Sequence, residues 1–428
     1  MSTYIKRIVE RQIEDLLENF CAVLIRGPKW CGKSTTGKAF SKSEILLSNL
    51  KRRQEYDAIN ANDPSVFLQG EKPRLIDEWQ LYPRVWDEIV AYSNETASRG
   101  QFVLTGSKAP RANSTNHSGT MRIARVNMTN LSLYESGESS GEVSLKSLFD
   151  HPEKGIKGQA AITKKETTRC IVRGGYPQII ADKPKNETIF ARQYLDAICE
   201  TDIQEASEKN LSPETARALL RSLARNLSQP VDNKTIIADV NAFGRPLAET
   251  AFYDYSNAFL KLYDVDEIPA WRPSLRSKTS IRASPKKLFY DPSLACAALG
   301  VGEDDLNYDF RTRGFFFECL AGRDLRVYSD ALGGRIAYYR DRLGLECDYV
   351  VHMPDGRYGL FECKCGSDFI EDGIKTLDKF VALIEAANAK SEGAKIPLPT
   401  IRAVLTDEGY AIRQKNGIFI IPLSCLKD

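Results

Sequence analysis

The sequence predicts an α/β protein: a parallel sheet in its N-terminal part, a mostly helical middle, and a second, smaller α/β unit at its end. Three observations carry this. Short apolar runs, CAVLIRG (21–27), EILLS (44–48), RLIDE (74–78) and QFVLTGS (101–107), alternate with stretches of helical spacing, the pattern of strands joined by crossover helices. From about 190 to 264 the apolar residues recur mainly at helical intervals. Beyond about 305 a helix (314–328) leads into strands around a PDG turn at 354–356, and a further helix follows over about 371–388.

A chain of 428 residues suggests about three domains at roughly 150 residues each. Hydrophobic residues at 42% and charged residues at 27% exclude a disordered chain. No apolar run reaches the ~18 residues of a spanning helix, and the opening MSTYIKRIVERQIEDLLENF is charged throughout; neither membrane anchor nor signal peptide is expected. Ten cysteines are scattered, only Cys363 and Cys365 are close, and the three histidines (His117, His151, His352) are far apart. That disfavours zinc and disulfides and points to a reducing cytoplasm. With 59 Lys and Arg against 57 Asp and Glu the net charge is +2, so any face for nucleic acid has to come from local clustering.

The first ~20 residues place Ile5, Ile8, Val9, Ile13, Leu16 and Leu17 on one helical face. The apolar run that follows breaks into GPKWCGKS, Gly27 to Ser34, between a predicted strand and a predicted helix over 33–41. This is the GxxxxGK[ST] phosphate loop in its required context. Gly27, Pro28, Lys29, Trp30, Cys31, Gly32, Lys33, Ser34 and the following Thr35 are the expected nucleotide-binding residues. Their backbone N–H groups curl around phosphates, Lys33 reaches the β and γ phosphates of ATP, and the Ser34 hydroxyl ligates magnesium. Asp77 ends the strand RLID and Glu78 follows; Asp77 is the expected second metal residue and Glu78 the residue that polarises the attacking water.

After a helix over 82–98, Thr105 and Ser107 end the strand QFVLTGS, where strand C-termini converge on a ligand. Thr105 is the candidate γ-phosphate sensor. No acid lies between Glu95 and Glu135, while Arg99, Lys108, Arg111, Arg122 and Arg125 do. Arg122, then Arg125, is the candidate charge-stabilising arginine, acting in its own chain or on a neighbouring copy, which would require a homo-oligomer; a solvated basic loop gives the same pattern.

GPKWCGKS, RLIDEWQ, FVLTGS, HSGTMRIARVNMTNLSLYES and RGGYP (173–177), with the later blocks AWRPSLRSK, YDPSLACAALG, FFFECLAGRDLRVY and YYRDRLGLECDYVV, resemble a prokaryotic AAA-type P-loop ATPase family with a C-terminal domain of unknown function. The resemblance covers nearly the whole chain. It implies an ATPase core (1–165), a helical lid (166–210), a winged-helix-like segment (211–300) and a domain similar to PD-(D/E)xK nucleases (301–428). The strand at 44–48, between the two nucleotide motifs, agrees with the additional-strand class of such ATPases. The departure is Thr105, where an Asn is frequent.

In the middle, Arg217, Arg221 and Arg225 form a basic stripe on a helix over 211–227, and helices around 234–241 and 246–261 complete a helix-turn-helix-like set. From Ile268 to Tyr290 there is no acid, while Arg272, Arg276, Lys278, Arg282, Lys286 and Lys287 lie between Trp271 and Tyr290. DNA is the expected partner of this tract; a surface docking on acids of its own chain gives the same pattern. At the end, Glu318 lies on a helix, Asp348 on a strand with Glu346 on the same face, and Glu362 and Lys364 share a face of the returning strand. Helix acid, strand Asp, then ExK is the order of PD-(D/E)xK nucleases. Glu318, Asp348 and Glu362 are the candidate metal residues, and Glu362 and Lys364 the candidate catalytic pair. The function expected is ATP hydrolysis coupled to a DNA-directed, nucleolytic module; the alternative is an ATP-gated switch whose nuclease-like domain only recognises a partner.

Overall fold

Parallel strands at the centre of a sheet are buried on both faces and so read as continuous apolar runs; here they build the first sheet. β1 (Ala22–Arg26), β2 (Ser43–Leu46), β3 (Arg74–Asp77), β4 (Phe102–Gly106) and β5 (Ile123–Asn127) pair in the order β2-β3-β4-β1-β5, parallel throughout. Side chains alternate across it: Val23, Ile25, Leu75 and Val103 enter one core, Leu24, Ile76 and Leu104 the other. Helix Glu10–Asn19 covers the first face through Ile13. Helix Arg84–Thr96 covers the second through Val85, Trp86, Ile89 and Val90, one helical stripe. Each such buried side chain contributes about 1.5–3 kcal/mol. This computed structural model describes residues 4–106, 115, 117–207, 209–271, 284–390 and 395–428. Ser107, Lys108, Arg111, Arg272, Arg276, Lys278 and Arg282 lie outside the described residues.

The first helix was expected to run from about residue 5 and begins at Glu10. The reason is Arg7, which is buried beneath the phosphate loop, donates to the carbonyls of Cys31 and Thr129 (both 2.8 Å), and pairs with Glu135 at 2.9 Å.

The polar stretch from Glu135 to Arg169 supplies structure to the far end of the chain. β6 (Val143–Ser144) pairs with β16 (Leu426–Lys427), and β7 (Gly158–Gln159) pairs with β14 (Tyr410–Arg413). Val143, Leu145, Leu148 and Phe149 enter the large core of the C-terminal half. The expected division at 165 therefore falls after segments that pack with residues beyond 400.

The second sheet, among the described residues, runs β10-β11-β12-β13-β15-β14-β7, with β10 (Arg335–Arg340), β11 (Glu346–His352), β12 (Tyr358–Lys364), β13 (Ile401–Thr406) and β15 (Phe419–Pro422). It is mixed: β10, β11 and β12 are antiparallel, while β12, β13 and β15 are parallel. Helix Ile370–Lys390 makes the β12-to-β13 crossover and buries Leu377, Phe380 and Ile384 on one face. Helix Phe310–Ala331 buries Phe317, Leu320 and Leu325 on the other. Between the sheets, helices Pro213–Arg225, Asn233–Ala242 and Glu249–Leu262 precede an antiparallel pair, β8 (Val265–Ile268) and β9 (Lys286–Phe289).

The described residues of the two basic tracts are engaged by the chain itself. Arg217 pairs with Asp196 at 2.6 Å, Arg225 with Asp239 at 3.2 Å, and Arg221 lies over the Phe243 ring. Lys286 is wholly buried, Lys287 pairs with Glu267, and Trp271 packs on Tyr358. Two of the six cations expected to meet DNA are thus internal, because strand β9 turns them into ion pairs. All ten cysteines are unpaired. Among the described residues, no helix is long and apolar enough to cross a membrane.

Candidate functional site

β1 ends at the middle of the first sheet, and the chain leaves it through a turn that needs glycine. Gly27 has φ of +152°, and a Cβ there would lie 1.9 Å from the Met128 carbonyl oxygen. Gly32, at φ +98°, opens helix Lys33–Ala39. Lys33 arches back over this loop and donates to the carbonyls of Gly27 (3.1 Å) and Pro28 (2.6 Å). Lys33, Ser34 and Thr35 from the loop meet Asp77 and Glu78 from the end of β3 around one cavity of about 600 Å³. That is ligand-sized, and its lining suits a triphosphate with a divalent ion: loop N–H groups and the Lys33 ammonium for phosphate, the Ser34 hydroxyl and the Asp77 carboxylate for the ion.

Not every expected residue faces the cavity. Cys31 is buried and points its thiol at the Met128 carbonyl, and Gly27 and Pro28 shape the loop from behind. Thr105 is wholly buried behind the acidic pair. Its hydroxyl donates to the Asp77 carboxylate and accepts from the Glu78 N–H at 3.3 Å. It therefore holds the acids in place, and the expected contact with a γ-phosphate is replaced by this role. Glu78 adopts a left-handed backbone at φ 56° and accepts from the Gln80 amide. Arg122 precedes β5 at the end of the sheet that Ala22 begins. At about 3.3 Å per residue it lies more than ~13 Å from the loop that follows Arg26, so it does not serve its own nucleotide site. Its guanidinium instead bonds Asn94 at 3.0 Å. Arg125 lies over Trp86 on the far face.

Sequence reading missed the residues that arrive from outside the motifs. Tyr4, Ile5 and Arg7 line a cavity of about 300 Å³ continuous in its walls with the phosphate cradle through Gly32, Thr35 and Pro177. Pro177 and Gln178 come from the RGGYP turn, which is fixed by Gly175 N–H donating to Asp291 at 2.8 Å. Only RGGYP itself signalled this. Lys29 of the loop pairs with Asp202 at 2.6 Å, in the π-helical turn Ile198–Asp202. A largely apolar cavity of about 470 Å³ opens beside that pair, between Trp30, Ile179, Phe190 and Tyr194.

The acidic residues of the second sheet also come together. Glu318, Glu346 and Asp348 surround the Lys286 ammonium at 2.7, 3.3 and 3.8 Å. Lys364 pairs with Glu362 at 2.7 Å and lies 3.8 Å from Asp348, whose carboxylate also accepts from the Cys363 N–H at 2.8 Å. Burial, then the Asp348 charge, pushes the Glu318 and Glu362 carboxyls up to about 8. Burial alone would lower the Lys286 pKa, but its three carboxylates outweigh that and raise it. Glu362 Oε1 is buried without a hydrogen-bond partner. The expected metal trio of Glu318, Asp348 and Glu362 does not converge on a common point: among the described residues no group of three or more His, Cys, Asp or Glu could hold a metal ion. The physical reason is Lys286, a cation supplied from β9, which stands where the carboxylates would otherwise face a metal.

Fold and cradle together define the class: a parallel α/β sheet carrying a P-loop of the nucleotide-binding type. Residues 19–136 match the AAA domain family. Residues 164–305 and 313–426 match two families described as domains of unknown function, DUF8612 and DUF4143. No curated protein matches. Among solved structures, a Walker-type ATPase of Pyrococcus abyssi is similar over 69% of this chain and 96% of its own, at 14% identity and a TM-score of 0.42. The replication initiator DnaA bound to AMPPCP and single-stranded DNA is similar over 58% of this chain and 85% of its own, at 15% identity and a TM-score of 0.28.

Proposed function

We propose that the chain is a magnesium-dependent ATPase acting as a nucleotide-gated switch, with the C-terminal pocket serving recognition rather than hydrolysis. The observation that carries this is the meeting of Lys33, Ser34, Asp77 and Glu78 around one ligand-sized cavity at the C-terminal ends of β1 and β3. Ser34 and Asp77 would hold magnesium, which when bound supplies positive charge to the phosphate oxygens. Lys33 trades its two backbone carbonyls for phosphate oxygens. Glu78 accepts a proton from the attacking water once its carboxylate is free of Gln80. Thr105 keeps Asp77 and the Glu78 backbone in place. Lys29, through Asp202, links the loop to the helical middle, the route by which bound nucleotide is read elsewhere. Any arginine contribution from Arg122 comes from a second copy of the chain.

The second reading, a metal-dependent nuclease acting on DNA, is favoured by one observation: Glu362 Oε1 is buried and unpartnered beside Lys364 and Asp348. ATP hydrolysis and plasmid nicking, with magnesium or manganese, separate the two in wild type, Lys33→Ala and Glu362→Gln. The switch reading expects hydrolysis that Lys33→Ala abolishes and no nicking. Nicking that Glu362→Gln removes overturns it in favour of the nuclease.

A further inference from the structure

On the face of the first sheet opposite the nucleotide cradle, a cavity of about 190 Å³ lies under the ends of β1 and β4. That is room for about six waters, or an oxyanion with part of the group that carries it. Its polar lining residues are Arg26, Arg125, His117, Ser118, Thr115 and Tyr263, all of which carry donors. Arg26 is held by Asn127 at 3.1 Å, and Arg125 by the Ser118 carbonyl at 2.9 Å and the Trp86 face. Among the described residues no carboxylate lines it; the nearby Asp87 accepts from the His117 backbone N–H at 3.1 Å. Trp79, 1% exposed, also lines it, and its indole N–H is buried with no partner. Leaving a buried donor without a hydrogen bond is costly, so one left open here marks a place for an acceptor.

Glu78 and Gln80 line the nucleotide cavity and not this one, but Gly106 and Trp79, which do line it, sit against the Gln80 amide. Over Gly106, a Cβ would lie 3.2 Å from Trp79 Nε1 and 2.5 Å from Gln80 Oε1. Both atoms are buried and unpartnered, so the open donor and the open acceptor meet at the one residue without a side chain. The other end of the Gln80 amide donates to Glu78. We infer that this cavity is an effector site for a phosphate-type oxyanion, and that its occupancy releases Glu78. A sulfate or a phosphodiester carries no proton at neutral pH and only accepts hydrogen bonds. It satisfies the Trp79 N–H and the two guanidiniums, but it opposes Gln80 Oε1. Turning the Gln80 amide over presents Nε2 to the anion and an oxygen to Glu78, which ends the hydrogen bond holding that carboxylate. The coupling rests on the ATPase reading; the binding site does not.

The test is tryptophan fluorescence of the full chain, saturated with ADP to fill the cradle, titrated with sulfate against chloride at constant ionic strength. A second titration uses a short oligothymidylate, which separates a nucleic-acid phosphate from a free one. A saturable change with either probe, its midpoint raised at least tenfold in Arg125→Met or in Arg26→Met, is expected. Melting curves identify a variant that fails to fold, and the other arginine then decides. Gln80→Leu keeps the fluorescence change but loses the increase in ATP hydrolysis that the same probe produces in wild type. The site is overturned if neither probe gives a saturable change, or if both folded arginine variants respond as wild type. The coupling is overturned if Gln80→Leu is stimulated as strongly as wild type. A wild type that binds the probe and hydrolyses no ATP overturns the ATPase reading and leaves the site standing.

Discussion

The P-loop cavity and the acidic pocket of the second sheet each set a lysine near carboxylates at strand ends, yet the two lysines are held in opposite ways. Lys33 is bound by two backbone carbonyls, each contributing about 1.5–3 kcal/mol to a charged donor, and a polyanion can replace both. Lys286 is wholly buried among three carboxylates, an arrangement complete without a ligand. The first site waits for charge; in the second, the carboxylates already hold a cation of the chain itself. Similar residue types therefore yield a binding site in one region and a closed ion cluster in the other, and burial decides which.

The contrast breaks first at Glu78. Glu78→Gln is expected to lower the rate of ATP hydrolysis by about 10²–10⁴-fold while nucleotide affinity, measured by fluorescent ADP titration, stays at the wild-type value. Equal loss of binding would mean that Glu78 shapes the cavity instead. Next is Lys286→Met, which leaves buried Glu318 and half-buried Glu346 and Asp348 with one cation fewer. Its expected cost is about 3–5 kcal/mol, read as a lower urea midpoint. A midpoint equal to wild type would show that the pocket opens to water, and the comparison would fail.

Asp264 sharpens the same point inside the middle region. It is buried, bonded to the Tyr194 hydroxyl at 3.2 Å, with its other oxygen unpartnered. Burial, and secondarily the Asp202 charge, raises its pKa from 3.8 to about 8. Its proton is thus retained in the fold at pH values where the unfolded chain has lost it. The stability this group contributes is fully present below pH 3.8 and is lost as pH rises through about 8. Asp264→Asn should flatten that alkaline arm, so its urea midpoint at pH 9 exceeds that of wild type; identical pH profiles would contradict the assignment. The smallest effect belongs to Lys29 and Asp202. The lysine is partly exposed, so a double-mutant cycle of Lys29→Ala and Asp202→Asn should give a coupling of about 0.2–1 kcal/mol in nucleotide affinity. Zero coupling would remove this link between loop and helices.

How much of this was legible follows from how far apart the partners lie. The phosphate loop, Asp77–Glu78 and four of the five strands of the first sheet are local patterns, and the sequence showed them. The ExK strand was equally visible, since Glu362 and Lys364 share a face by spacing alone. Lys286 was misread as part of a DNA-facing tract, because Glu318 and Asp348 that claim it are 32 and 62 residues away. Thr105 was placed at the correct strand end, but only the pairing of β3 with β4 shows its hydroxyl committed to Asp77. The same distance hid β7, whose partner strand is more than 250 residues downstream.

The most direct measurement is manganese binding by electron paramagnetic resonance, with wild-type protein alone and loaded with a non-hydrolysable ATP analogue. The account predicts no tight manganese without nucleotide, and one per chain with it, lost in Lys33→Ala. A tight manganese bound without nucleotide, and removed by Glu362→Gln, would contradict it: the acidic pocket would then be a metal site, with Lys286 displaced when the ion enters.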